Sequence, residues 1–320
     1  MILTSSATGR TLFKLILTLA VILAVVPSPG AWGAESGTGV YILGYQSSLA
    51  GYLPAPGLYL RNDFYLYQGK ADLLAFSGRI EAQLTARSIL NLVNLTYVTP
   101  YKILGANYAL GVMWGSIGNT SLKARVDILQ RFNMTREEDY TGIADLAVSP
   151  IILGWHLDQF HIMAMGNFYA PTGAYNVNRR VNTGLNRWAL EPNVAVTWLH
   201  PKRGHEVSLS AGYTVNFKNP DTDYLTGNEF HLEFFLGQHL PKGFVLGMAG
   251  YFYRQVTGDS GRGALLGGFQ GRTFALGPCL SYNGKIGRHD IGLNARYYNE
   301  LDVKRRFDGQ SFFFTFSFGF

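Results

Sequence analysis

One cysteine, Cys279, stands in 320 residues, so no intramolecular disulfide can brace this chain. Charge is also sparse, with 27 Lys+Arg against 21 Asp+Glu and only 15% charged residues in all. The cations are scattered through expected loops rather than gathered on one continuous face, which argues against nucleic acid as a partner. Long apolar runs are missing beyond the first 33 residues, although 47% of the chain is hydrophobic. A helix needs roughly 20 such residues to cross a bilayer, so spanning helices are excluded after that point. Close paired metal-ligand spacing is absent as well. His200, His205, His239 and His289 all fall near expected turns, and no metal or cofactor is expected. Gly261-x-Gly263 follows no strand-to-helix unit, so its glycines read as loop rather than phosphate cradle.

What is there begins with an export signal. Arg10 and Lys14 precede an apolar core from Leu15 to Val26, and Ala31-Trp32-Gly33 offers small residues where a signal peptidase cuts. Cleavage after residue 33 removes two cations and no acid, leaving 25 Lys+Arg against 21 Asp+Glu, or +4 in place of +6. The expected organisation is a signal at 1–33, a periplasmic N-terminal segment at 34–57 and one membrane domain at 58–320.

That domain carries a two-residue period. Val207, Leu209, Ala211, Tyr213, Val215 and Phe217 alternate with Glu206, Ser208, Ser210, Gly212, Thr214 and Asn216. Trp188, Leu190, Pro192, Val194, Val196 and Trp198 alternate in the same way with a more polar set. One oily and one wet face over about 10 residues is the signature of a strand between lipid and lumen. Strands are expected near 58–67, 88–98, 104–115, 143–155, 159–169, 188–199, 205–217, 228–240, 243–255, 272–283, 288–299 and 310–320. Turns at 99–102, 156–158, 200–203, 240–242 and 283–285 are short, whereas 68–87, 116–142, 170–187 and 256–271 are long. Short periplasmic turns alternating with long external loops predict an all-β fold: a transmembrane antiparallel up-and-down β-barrel of about 12 strands in a bacterial outer membrane. Both chain ends are then expected on the periplasmic side.

The last strand sets Phe312, Phe314, Phe316, Phe318 and Phe320 on one face. A terminal aromatic preceded by alternating apolar residues resembles the signal read by the barrel-assembly machinery, with Phe316, Phe318 and Phe320 as its core. The faces opposite the oily ones list expected pore-lining residues: Tyr59, Arg61, Asp63, Tyr65, Tyr67, His161, Asn167, Tyr169, Glu191, Asn193, Glu206, Asn216, Glu229, His231, Glu233, Asp290, Asn294, Arg296 and Tyr298. Their charges fit either a solute path or a network of lumen ion pairs in a narrow barrel. Their tyrosines fit either aromatic solutes or the girdles that barrels commonly carry. Glu229 and Glu233 are expected to repel unless a cation such as Arg61 or Arg296, or a solute, lies between them.

The stretch Pro56-Gly57-Leu58-Tyr59-Leu60-Arg61-Asn62-Asp63-Phe64-Tyr65-Leu66-Tyr67 resembles the opening of the outer-membrane proteins grouped as phenol meta-pathway degradation proteins. Matching pieces recur at Thr99–Gly105, Gly142–Leu146, Pro171–Tyr175 and Gly277-Pro278. The resemblance implies a passive uptake channel for small hydrophobic or aromatic compounds. The barrel is expected to be a monomer in contact with lipid and lipopolysaccharide, and not an enzyme. Two other functions are weighed: a structural or adhesive barrel with a plugged lumen, and an outer-membrane lipid hydrolase. The hydrolase is disfavoured because no Asn-His-x-Ser arrangement stands near any of the seven histidines.

Overall fold

A computed structural model describes residues 35–75, 80–114, 117–128, 132–264, 268 and 270–320; the expected signal at 1–33 lies outside the described residues. Among the described residues fourteen strands follow one another: β1 (Gly57–Ala75), β2 (Ile80–Ile103), β3 (Ala106–Trp114), β4 (Ile117–Ile128), β5 (Phe132–Ile143), β6 (Leu146–Leu157) and β7 (Phe160–Ala170). Then come β8 (Ala189–Leu199), β9 (His205–Asn216), β10 (Glu229–His239), β11 (Phe244–Gln255), β12 (Arg272–Ile286), β13 (His289–Glu300) and β14 (Asp308–Gly319).

Twelve of them, β1 to β3 and β6 to β14, close into an antiparallel barrel. Closure falls between β1 and β14, with Tyr59 opposite Gly319 and Lys70 opposite Asp308. The backbone N–H of Phe320 extends the seam by donating to the Leu58 carbonyl. A closed ladder leaves no edge, which is what a strand protein needs in lipid.

The period-2 reading holds on the wall. Leu209, Val194, Leu236, Leu246, Leu280 and Phe314 keep between 44% and 52% of their surface exposed, while their neighbours Ser208, Ser210, Asn193, Phe235, Val245, Cys279 and Phe313 are buried inside. Charge on that outer band would be costly, whereas apolar side chains there meet acyl chains. The band places the chain in an outer membrane.

Two expected loops are strand instead. The 68–87 segment continues β1 and β2 as one hairpin, and 116–142 holds β4 and β5. β2 pairs with β3 at its lower end and with β4 through residues 80–90, so β4 and β5 prolong the wall above β3 and β6. At 19 residues and a rise of about 3.4 Å each, β1 is roughly 65 Å long. About 9–11 residues suffice to span the bilayer. Beyond the bilayer both faces meet water, as at Lys123 and Glu137, paired at 3.8 Å and each more than half exposed. The oily alternation therefore stops where the strand does not. One turn also moves: β2 runs through 99–102 past an irregularity and reverses at Leu104-Gly105, both at positive φ.

Candidate functional site

The lumen is occupied. Residues 35–56, expected on the periplasmic side, instead pass through the barrel from the end bearing the long loops to the end bearing the short turns. The contacts trace this path in order. Glu35 accepts from Asn219 and Thr222 of the β9–β10 loop, and its N–H donates to Thr226. The Tyr41 hydroxyl, Gly44 N–H and Gln46 N–H all donate to Glu233 on β10. Ser48 and the Leu49 N–H donate to Glu206 on β9, and the Gly51 N–H to Thr197 on β8. Leu53 then packs against Gly154 and joins the buried cluster of Ala50, Val98, Ala109, Ile152, Met163 and Ala195. β1 and the C-terminal Phe320 do meet at the turn end, but residue 35 lies at the opposite end.

The threading segment has no partner strand, so its backbone donors must be met by side chains. Buried carboxylates meet them. Taking a carboxylate out of water costs several kcal/mol unless donors replace the lost hydration. Glu233, fully enclosed, receives three donors from the segment. Glu206 receives Ser48, Leu49, Ser208 and, at 2.7 Å, His239. Each acid is a latch for the segment.

The remaining expected lumen residues hold one another. Glu191 accepts from Asn167, Tyr169 and Thr214, and lies 3.5 Å from His231. His231 stacks on Tyr41 with ring centroids 3.8 Å apart. Glu229 accepts from Asn216 and Tyr253, and Asn193 accepts from Ser210. Asp63 accepts from Arg61 at 2.8 Å, from Arg296 at 3.4 Å and from Thr315. Both arginines also donate to the Tyr45 carbonyl, Arg296 donates to the Gly44 carbonyl, and Asn294 accepts from Arg296. A cation such as Arg61 or Arg296, or a solute, was expected between Glu229 and Glu233; neither arginine takes that place, both being bound to Asp63. The threading segment does, with Gly39 against Glu229 and Tyr41 on Glu233.

Tyr65 and Tyr298 both pack on Phe313, and Tyr67 donates to Glu300. Two expected residues sit at the rim instead. Tyr59 donates to the Ala55 carbonyl, and Asp290 is largely exposed beside Lys285 at 3.3 Å. The reason is strand length: β12 and β13 reach Ile286 and His289, carrying Asp290 to the very mouth. In the last strand Phe316 and Phe320 face outward, and Phe318 stacks on His289.

Residues 35–53 carry no alternation, so their role was not legible, yet β9 held a signal. Its inward face, Ser208, Ser210, Gly212 and Thr214, is too small to fill a twelve-strand lumen. Something else must fill it. Gly44 shows how closely: it sits at φ +85°, and a Cβ there would come within 2.6 Å of the Tyr298 ring.

At the loop end Arg187 lies 3.7 Å from Glu35 and donates to the Thr38 carbonyl. Burial pushes the Glu35 carboxyl above its ordinary range, against the pull of Thr222, Arg187 and Asn219.

A closed strand barrel with an oily belt and an internally threaded segment is an outer-membrane β-barrel. The chain belongs to the family described as MetA-pathway of phenol degradation, which it matches over residues 73–316. Among solved structures it is similar to an outer membrane channel from Pseudomonas putida F1, at 15% identity and TM-score 0.60, covering 84% of this chain and 97% of that one. It also aligns with the translocator domain of the autotransporter NalP from Neisseria meningitidis, at 13% identity and TM-score 0.38, covering 83% and 90%. No curated protein matches the chain.

Proposed function

We propose that this barrel is a passive channel for uptake of small hydrophobic or aromatic compounds, not an enzyme, and that a single chain suffices as the working unit. The observation that carries the reading is the threaded segment, which three hydrogen bonds from Tyr41, Gly44 and Gln46 to Glu233 hold inside the lumen. A barrel filled in this way is poorly suited to large hydrated solutes. The family's description as a phenol-degradation pathway supports aromatic cargo. So do the inward tyrosines Tyr41, Tyr65, Tyr169 and Tyr298, whose rings give apolar surface inside the barrel.

The same segment favours a second reading, a structural barrel that never opens. Uptake separates the two. Cells that express the barrel should accumulate radiolabelled phenol or toluene at low external concentration faster than cells lacking it. Equal rates, together with no discrete openings in planar bilayers, would leave the structural barrel.

A further inference from the structure

We propose that Arg254, Arg272 and Lys304 form a binding site, on the outer wall at the loop end, for the bisphosphorylated headgroup of lipid A. The three stand side by side on adjoining segments. Arg254 of β11 is the register partner of Arg272 of β12, and Arg272 is bridged to Lys304 of the β13–β14 loop. Directly opposed residues of an antiparallel ladder share a face, so the three side chains project together. That face is the outer one, because Tyr253, Gln255 and Thr273, chain neighbours of Arg254 and Arg272, are buried inside.

The pairing brings the cations close. Arg272 and Lys304 exchange both backbone hydrogen bonds, at 3.0 and 2.9 Å, which leaves Arg254 and Arg272 as the tighter, non-hydrogen-bonded pair. Opposed Cα atoms lie about 5.5 Å apart in the first kind of pair and about 4.5 Å in the second, so the row is roughly 10 Å long. Like charges set directly opposite one another destabilise a sheet unless an anion lies among them. Among the described residues Asp302 alone answers, 3.0 Å from Arg272, while Arg254 and Lys304 are exposed and have no carboxylate partner.

The height of the row on the wall names the anion. From Phe244 to Phe252 on β11, and from Phe274 to Tyr282 on β12, every second residue is apolar or aromatic and faces out, a stripe nine residues long on each strand. A strand crosses the bilayer in about 9–11 residues, so Arg254 and Arg272 are the first outward residues beyond the acyl chains. Phe230 of β10 and Tyr213 of β9 continue the same row, and such aromatics collect at the membrane interface. With the long loops outside, the leaflet at that height is built of lipid A, a disaccharide with a phosphate at each end. A row of three cations can meet both phosphates while the acyl chains lie on Phe252 and Phe274. A guanidinium takes a phosphate bidentately, and Arg254 gives up no carboxylate to do so. A glycerophospholipid brings one phosphate and leaves part of the row unmatched. The inference does not depend on what the lumen carries.

The test is native mass spectrometry of tag-free, full-length mature protein in a neutral detergent, titrated with bisphosphorylated lipid A. Monophosphorylated lipid A, phosphatidylglycerol and inorganic phosphate are the comparison probes. One equivalent of bisphosphorylated lipid A is expected to bind, more tightly than either single-phosphate lipid and without displacement by inorganic phosphate at equal concentration. Arg254→Gln and Lys304→Gln should each weaken it roughly tenfold or more, as loss of a charged hydrogen bond does, and the double variant about a hundredfold. Lys123→Gln, at the loop end of another part of the wall and already paired with Glu137, should leave it unchanged. Heat-modifiable mobility reports folding of every variant. Because Arg254 and Lys304 are exposed, their variants keep the test decisive even if Arg272→Gln, which gives up Asp302, assembles poorly. Absence of a one-to-one complex, wild-type affinity in the double variant, an equal loss in Lys123→Gln, or phosphatidylglycerol bound as tightly as lipid A overturns the site.

Discussion

At the scale of the residue, Glu233 concentrates the physics of this lumen. It is a buried carboxylate whose three donors all come from residues 41–46. Glu233→Gln replaces an acceptor by an amide N–H that faces donors, and each charged hydrogen bond lost is worth about 1.5 to 3 kcal/mol. Loosened threading should then appear as more frequent openings and higher conductance in planar bilayers, without loss of assembled barrel. Leu232 points the other way, into lipid. Leu232→Asp should impair insertion, since charge on the lipid face costs up to about 2 to 4 kcal/mol at the midplane, Asp somewhat less. Normal insertion of Leu232→Asp beside blocked insertion of Glu233→Gln would reverse the faces of β10.

Glu35 makes the loop-end anchor sensitive to pH. Arg187 and Asp259 face it from the neighbouring loops, and burial raises its carboxyl above the ordinary value of 4.5. An acid raised in the docked state favours docking when protonated. Its contribution is complete below about the ordinary value and fades as pH climbs through the raised one. Openings should therefore become rarer as pH falls through that window, and Glu35→Gln should flatten the dependence. An unchanged pH profile in Glu35→Gln would remove this role from Glu35.

At the scale of the element, β14 closes the barrel. It pairs with β1 on one side and β13 on the other, and Phe320 adds the last bond of the seam to Leu58. Deleting Phe320, or replacing it by a charged residue, should lower the yield of the heat-modifiable folded form. Part of that loss follows from the seam itself, and we propose that the rest follows from recognition of Phe316, Phe318 and Phe320 during assembly. A yield equal to wild type would show that neither depends on the terminal ring.

At the scale of the whole molecule, orientation is testable with little background, because the single Cys279 is buried. A cysteine at Arg262, 91% exposed in the β11–β12 loop, should react with a membrane-impermeant maleimide on intact cells. One at Lys202, in the β8–β9 turn, should react only after the outer membrane is opened. The opposite pattern would invert the barrel.

The sequence alone determined the wall. Twelve strands, their inward and outward faces and the alternation of short turns with longer connections all follow from local rules: side chains alternate every two residues, and lipid admits only one face. Glu206, Glu229 and Glu233 were thereby placed inward before any contact was known. Only the tertiary structure decided what those acids do. The bonds from residues 44–51 to Glu233, Glu206 and Thr197 join positions 146 to 189 apart in the chain, and the segment making them has no periodicity to betray it. The prolonged wall of β4 and β5 escaped for a related reason, since strands wetted on both faces lose the oily signal. The His156–His161 contact needed the register of β6 on β7, because a spacing of five residues brings two rings together only when a tight reversal lies between them.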